Sequence, residues 1–396
     1  MRYTRMESPG IGRIAAAATM VLTAALVISA AGCGSHPKFA GRIVLLSQGT
    51  ISVITQAGVE PVLTDVVTAA LSPDGRTLLY ARKDQTLVRD LEAGTEKVIL
   101  PETGLKAGWN DDGTRYYLLT GCPANKLYVG RPEGAPQRLF QGRKGLYAVG
   151  GSAGATIEEE VCAELGGCLF LTSDVFVFSA FDAPLPRTGD IHANKGFLVN
   201  LAVDPPEIQV TQFPRQARWR FVDASDVSDQ VLISVERNPE SAELFQNRVY
   251  VCPRFRAWEL ITFQNELQAS FARWENGGWG SAGELAGVFS PNSGRVFGLA
   301  NEPSAKGWNL YYMVIDPESG DATRGPALPL RPGDVVNRPV FDPEEKNVAF
   351  LANLGTEENI TVCELASGTA SKVWKAPAPK GGAFDARLDR LLGWLD

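Results

Sequence analysis

The segment Gly150-Gly151-Ser152-Ala153-Gly154 has the G-x-S-x-G spacing that sets a nucleophilic serine on a sharp strand-to-helix turn. Such a serine needs a histidine to take its proton and a carboxylate to hold the imidazole. The chain has 2 histidines, His36 and His192. His36 stands three residues after Cys33, so His192 with Asp190 would have to complete a triad with Ser152. The elements that position such a triad are missing from the pattern. An α/β-hydrolase needs a parallel sheet covered by helices on both faces, and no alternation of strands with helical segments is visible. A second GSAG at Gly280–Gly283 further lowers the standing of the first. Ser152 is read as a turn residue, and no residue is assigned a catalytic role.

Metal chemistry has two sources to draw on. Thiolate zinc sites are excluded for lack of a C-x-x-C pair. Hard cations prefer oxygen ligands, and carboxylates occur at Asp111-Asp112, at Asp342-Pro343-Glu344-Glu345 and in the run Glu158–Glu160. The first two groups sit in turn sequences and the third reads as a wet acidic surface, so no metal ligand is assigned. No cofactor is expected, calcium being the cation that the carboxylates would suit.

The cysteines are Cys33, Cys122, Cys162, Cys168, Cys252 and Cys363. Cys162 and Cys168 enclose AELGG and form the candidate disulfide, with Cys122 as a competing partner for either. Cys252 in RVYVCPRF and Cys363 in ITVCELA are expected as small buried hydrophobes on strands. Phe271, Trp274 and Trp279 stand beside Gly and Asn, and they are the candidate binding platform.

The N-terminus has a different character. MRYTRMESPGIGR carries three arginines, Ile14–Ala31 is uncharged and mostly apolar, and Gly32-Cys33 follows. A basic head, an apolar middle and small residues before a break form an export signal. Its apolar stretch of eighteen residues is also just long enough to span a bilayer as one helix. Cleavage before Cys33 leaves 35 basic and 44 acidic residues, a net charge of −9. Such a body has no general attraction for nucleic acid or anionic lipid.

The elements that carry all these residues are organised by a repeat. Its copies are TAALSPDGRTLLYAR, KAGWNDDGTRYYLLT, LAGVFSPNSGRVFGLA, RPVFDPEEKNVAFLA and GAFDARLDRLLGWLD, with a weaker RFVDASDVSDQVLISV. A bulky or apolar residue precedes each turn: Leu71, Trp109, Val222, Phe289, Phe341 and Phe384. Val149 occupies this position in LYAVGGSAG, so GGSAG overlays the first turn of its unit. Pro, Asp, Asn and Gly supply the turn angles, and the apolar, β-rich runs after them read as buried strands. Two more strands follow most copies. Successive marker spacings are 38, 40, 73, 67, 52 and 43 residues, and the two long ones imply insertions near 155–192 and 264–283. Four short antiparallel strands per unit predict an all-β propeller of four-stranded blades. Seven markers predict seven blades, with six and eight also compatible. Strands from the two chain ends must pair to close the ring, because an open sheet edge is a template for aggregation.

Two family resemblances follow from these residues. Ser29-Ala30-Ala31-Gly32-Cys33 resembles the signal of bacterial lipoproteins, which implies cleavage before Cys33 and attachment of lipid to it. Residues 1–32 are then a signal peptide, 33–40 a lipidated tether and 41–396 one domain. SPDGRTLLYA, SPNSGRVFGLA and DPEEKNVAFLA resemble the repeats of TolB-type propellers, the PD40 or WD40-like class. That resemblance implies a propeller in an envelope setting, and the lipoprotein signal implies that it is held to a cell membrane or outer membrane, outside the cytoplasm. The expected role is binding of another envelope protein, a peptide or a glycan, without catalysis. The alternative is a metal-dependent hydrolase resembling propeller lactonases and phosphotriesterases, with a central oxygen-ligated cation.

Overall fold

The computed structural model describes residues 39–120, 126–141, 147–148, 156–157, 164–181, 195–212, 217–237, 248–253, 288–294, 296–304, 307–315, 322–328, 335–336, 339–353, 357–377 and 390–395. Every regular element among them is a strand. The local cause is visible in Ser72–Arg82. A turn rich in Pro, Asp and Gly is followed by Thr77-Leu78-Leu79-Tyr80-Ala81, whose Leu78, Leu79, Tyr80 and Ala81 are all buried. With both faces covered, such a strand has no polar alternation and reads as one apolar run.

In chain order the strands are β1 (Arg42–Ser47), β2 (Thr50–Thr55) and β3 (Gly58–Leu63); β4 (Thr68–Leu71), β5 (Thr77–Arg82), β6 (Gln85–Asp90) and β7 (Glu96–Leu100). Next come β8 (Gly104–Trp109), β9 (Tyr116–Thr120), β10 (Lys126–Gly130) and β11 (Gln137–Gln141), then the short pair β12 (Tyr147–Ala148) and β13 (Thr156–Ile157). They continue as β14 (Glu164–Phe170), β15 (Val175–Phe181), β16 (Lys195–Asn200) and β17 (Glu207–Gln212), and as β18 (Ala217–Ser225), β19 (Gln230–Arg237) and β20 (Arg248–Pro253). The last groups are β21 (Val288–Phe289), β22 (Val296–Ser304), β23 (Gly307–Ile315) and β24 (Ala322–Leu328); β25 (Val335–Val336), β26 (Val340–Phe341), β27 (Asn347–Asn353), β28 (Glu357–Glu364) and β29 (Ala370–Pro377); and β30 (Arg390–Leu395).

Each group is an antiparallel meander, and most have four strands. The first strands of successive sheets touch one another: β4 lies against β8, β8 against β14, β14 against β18, β18 against β21, and β26 and β4 both against β30. Phe297 of β22 meets Phe341 of β26 edge to face at 5.5 Å, which joins the two remaining sheets. Among the described residues this is a closed ring of sheets. The fold class expected from the repeat is the one observed.

The core lies between neighbouring sheets. Leu46, Ile51, Leu78 and Tyr80 form one such layer, Leu79, Tyr116 and Leu118 the next, and Leu127, Phe176, Phe178 and Phe197 a third. Phe178 and Phe197 stack at 4.5 Å with planes 3° apart. Each fully buried side chain of this kind contributes about 1.5–3 kcal/mol of hydrophobic stabilisation.

The ring is shut by the chain ends. β30 pairs with β1 over Arg42↔Leu395, Ile43↔Trp394, Val44↔Gly393, Leu45↔Leu391 and Leu46↔Arg390, with a bulge between Val44 and Leu45. One strand from the C-terminus and three from the N-terminus thus fill four places, in the order β3-β2-β1-β30.

Three placements differ from the sequence-based expectation. The unit assigned to Val149 begins later, because β14 is the strand that packs against β8 and its turn is Leu171–Asp174. β14 and β15 therefore fall inside the stretch near 155–192 that was expected to be an insertion. In the weak copy the first strand runs past Val222 to Ser225, with a bulge between Phe221 and Asp223 absorbing the extra residue. In the last copy RLLGWL is the innermost strand β30, whereas GAFDARLD was expected to supply that strand. Phe384 lies outside the described residues.

Candidate functional site

Because successive strands are antiparallel, the turns after the first and third strands of every sheet share one face of the ring. Among the described residues the turns of this face are short, and most are internally satisfied; Ser228 Oγ is buried without a partner. In Ser72–Arg76, Gly75 N–H donates to Ser72 O at 2.9 Å, Ser72 Oγ donates to Asp74 at 2.6 Å, and Asp74 accepts from Arg76 N–H at 3.0 Å. Gly75 sits at φ 70°, a backbone region open to glycine at little cost. Asn110–Arg115 repeats the design: Arg115 N–H donates to Asn110 Oδ1 at 2.8 Å and Thr114 N–H to Asp112 at 2.8 Å. Asp342 does the same work with its own carboxylate, accepting from Asn347 N–H at 2.9 Å and from Asn347 Nδ2 at 2.7 Å. The first turn residues Ser72, Asn110, Ser290 and Asp342 are all buried polar groups. Burial is tolerable because each finds its partner within the turn.

The same turns tie one sheet to the next. Arg115 Nη2 donates to Asp174 at 2.8 Å, and Ser173 Oγ donates to Asp112. Phe289 N–H donates to Asp223 at 2.9 Å. Asn292 N–H donates to Glu345, and Asn292 Nδ2 to Pro343 O at 2.9 Å. Trp109 Nε1 donates to Ala70 O at 3.0 Å. Asp74 is held below the usual carboxylate range chiefly by the Ser72 hydrogen bond. For Asp112, partial burial pushes upward, but the hydrogen bonds of Ser173, Thr114 and Asn110 outweigh it and the net shift is downward.

Two side-chain clusters were not foreseen from the sequence. Glu102 accepts from Lys126 Nζ at 2.9 and 3.0 Å and from Thr120 Oγ1 at 2.9 Å. Desolvation raises its pKa, yet these donors bring it below the usual value. On the β4–β7 sheet, the Tyr80 hydroxyl donates to Glu96. The Arg82 and Arg89 guanidiniums lie 3.9 and 3.7 Å from the same carboxylate, and Arg82 sits 5.4 Å over the Tyr80 ring. Burial pushes the Tyr80 phenol up to about 12, with Glu96 adding to the shift. The only sequence signal for this group is cross-strand register, since Arg89 faces Glu96 and Leu78 faces Arg89. Both clusters join neighbouring strands with opposite charges, which is a structural use.

The other sequence-derived residues fall as follows. Trp109 and Phe341 are half-buried at contacts between sheets, and Phe289 is buried on β21. Cys363 is buried on β28, and Cys252 lies on β20. Cys168 is a buried free thiol on β14, pushed up to about 12 by burial. Its candidate partners Cys162 and Cys122 lie outside the described residues. So do Cys33, His36, the Gly150–Gly154 segment with Ser152, Glu158–Glu160, Asp190, His192, Phe271, Trp274, Trp279 and Gly280–Gly283. Among the described residues no group of three or more His, Cys, Asp or Glu could hold a metal ion. No helix among them is long and apolar enough to cross a membrane.

No family model matches the sequence. No curated protein matches it either. Solved structures do match. The β-propeller domain of the Trilobed protease from Pyrococcus furiosus superposes with a TM-score of 0.50 at 13% identity, covering 84% of this chain and 93% of that one. An oligogalacturonate lyase from Vibrio parahaemolyticus gives 0.51 at 10% identity, covering 88% and 90%. The fold is a β-propeller. TolB from Acinetobacter baumannii also matches, with a TM-score of 0.43 at 12% identity over 90% of this chain and 67% of that one. The Pyrococcus domain is described as having an open velcro topology, whereas this propeller pairs its terminal strands over five positions.

Proposed function

We propose that this chain is an exported, seven-bladed propeller, lipid-anchored at Cys33, that acts in the cell envelope by binding a protein, peptide or glycan. The observation that carries this reading is the asymmetry of the ring. Among the described residues, the turns of one face are short, and most of their polar groups are satisfied by each other or by the adjacent blade. The connections after the second and fourth strands start from the opposite face, and those between β11 and β14, between β15 and β16 and between β29 and β30 span residues 142–163, 182–194 and 378–389, while the stretch 254–287 follows the third strand β20. A rigid scaffold with long loops on one face suits recognition, since binding residues concentrate on loops that a scaffold positions. Seven blades match the seven sheets of three or more strands among the described residues.

The test is crosslinked capture from native envelope with the mature protein and with a variant lacking residues 266–283, the stretch that holds Phe271, Trp274 and Trp279. The variant is expected to keep the melting transition of the parent and to lose the captured partner. Capture unchanged by the deletion would remove the aromatic platform from the reading. A lactone or phosphoester turnover that disappears with chelator, together with a chelator-induced drop in Tm, would replace binding with metal-dependent hydrolysis.

A further inference from the structure

The start of the propeller fixes how it must sit on a membrane, if Cys33 is its anchor. Phe39 is 5% exposed, and its ring meets Trp394 edge to face at 5.9 Å and 85°. Trp394 Nε1 donates to Ala40 O at 2.9 Å. Gly41 has φ 85°, and a Cβ there would run into the Leu395 carbonyl. The chain is therefore clamped into the ring from Phe39 onward. This clamp lies at the end of β30, and Leu395 touches Gly75 of the turn Ser72–Arg76 so closely that a Cβ on Gly75 would strike its side chain. The polypeptide thus joins the ring on the short-turn face, next to the innermost strand.

We propose that the short-turn face is turned toward the membrane and that the face of long connections points away from it, toward the partner. This rests on the lipid-anchor reading above. The argument is one of reach. Six Cα steps separate Cys33 from Phe39, so the tether spans at most about 20 Å. To present the opposite face, the tether would have to pass outward across β2 and β3, about 10 Å at ~4.8 Å per strand, and then down a six-residue strand of about 17 Å. That path exceeds the reach before side chains are cleared.

Charge modulates the distance without reversing the orientation. The described turns of the short-turn face contain twelve acidic residues, among them Asp74, Asp112, Asp229 and Glu344, and four basic ones, Arg76, Arg115, Arg131 and Lys346. An anionic bilayer repels such a face, but only within about 8 Å at physiological salt. The tether is longer than that. The face stands off the lipid and stays turned toward it, and an incoming partner meets the long connections first.

The test couples the mature protein through the Cys33 thiol to a maleimide-headgroup lipid in vesicles of three parts phosphatidylcholine to one part phosphatidylglycerol, in a background with the other cysteines replaced. A donor dye is placed through an encoded azide at Glu92 or Glu344, on the short-turn face, or at Thr64 or Lys83, on the opposite face. All four positions are exposed. Energy transfer to an acceptor in the lipid headgroups is expected to be higher from Glu92 and Glu344 than from Thr64 and Lys83. Insertion of twenty Gly/Ser residues after His36 is expected to abolish that difference. Equal transfer from both faces with the native tether, or a reversed order, overturns the proposal. Mass spectrometry of envelope-purified protein separately reads the anchor: absence of acyl mass on Cys33 overturns the anchoring and the orientation with it, whereas failure in the vesicles alone leaves the anchor standing.

Discussion

The blade β4–β7 and the closing blade β30-β1-β2-β3 have the same strand order and reach it by different routes. The first is a continuous stretch of chain, and its first two strands are joined by the turn Ser72–Arg76. In the second, the two strands at that place come from distant parts of the sequence, with Leu395 of β30 opposite Arg42 of β1. Where the continuous blade uses a turn carboxylate, the closing blade uses an aromatic clamp: Phe39 on Trp394, and Trp394 Nε1 on Ala40 O. A continuous turn holds its two strands at high local concentration. A closure brings together residues more than 340 apart, and the entropy of that loop must be met by the contacts themselves. Side-chain contacts at the closure should therefore matter more than their counterparts elsewhere in the ring.

The largest expected effect follows directly. Trp394→Ala removes a 7% exposed indole at the closure, and truncations of this size typically cost about 3–5 kcal/mol. Trp109→Ala removes the equivalent donor to the preceding blade, from a half-buried position, and is expected to cost less. Urea unfolding of the two variants measures the difference. Equal losses would break the distinction between closure and continuous blade.

The next effect is a single hydrogen bond. Ser47 Oγ donates to Glu358 at 2.7 Å, joining β1 to the blade before it in the ring. Glu358 is fully buried, and withdrawing a donor from a buried carboxylate costs about 1–3 kcal/mol. In the continuous blade, Thr86 Oγ1 donates to Glu102 O at 2.7 Å, a bond between neutral groups. Thr86→Ala is expected to cost about 1 kcal/mol, and Ser47→Ala more. Thermal unfolding of both variants at pH 7 tests the order.

The same contrast explains what was legible beforehand. Ser72-Pro73-Asp74-Gly75 and Asn110-Asp111-Asp112-Gly113 announce their turns because Pro and Gly preset the backbone and Asp bonds back to it. The blade β14–β17 gives no such notice. Its turn Leu171-Thr172-Ser173-Asp174 has neither Pro nor Gly, and Thr172 Oγ1 alone accepts from Val175 N–H at 3.0 Å and from Asp174 N–H at 3.3 Å. The glycine-rich GGSAG upstream looked more turn-like and drew the assignment twenty residues too early. At the C-terminus the repeat GAFDARLDRLLGWLD reads as a strand, a turn and a second strand, yet RLLGWL is the first strand of its blade, because nothing local states that β1 will lie beside it. The side-chain clusters around Glu102 and Glu96 were illegible for a related reason. They depend on register between strands, which hydrophobic periodicity does not encode.

The smallest expected effect separates the two kinds of blade by pH. Asp74 and Asp112 titrate below their usual value in the folded protein, and in the unfolded chain an aspartate titrates near 3.9. A carboxyl whose pKa is depressed by folding contributes stability that is complete above the unfolded value. That stability is lost as the pH falls through the folded one. Both turns are solvent-accessible, so the loss is modest, and it begins below about pH 4. The described clamp of the closing blade consists of Phe39, Trp394 and the Ala40 carbonyl, none of which titrates in this range. Asp112→Asn is expected to lower Tm at pH 7 slightly and to flatten its decline between pH 5 and pH 3, while Trp394→Ala lowers Tm by the same amount throughout. A parallel pH profile for Asp112→Asn and the parent would show that the turn carboxylates do not distinguish the continuous blades from the closure.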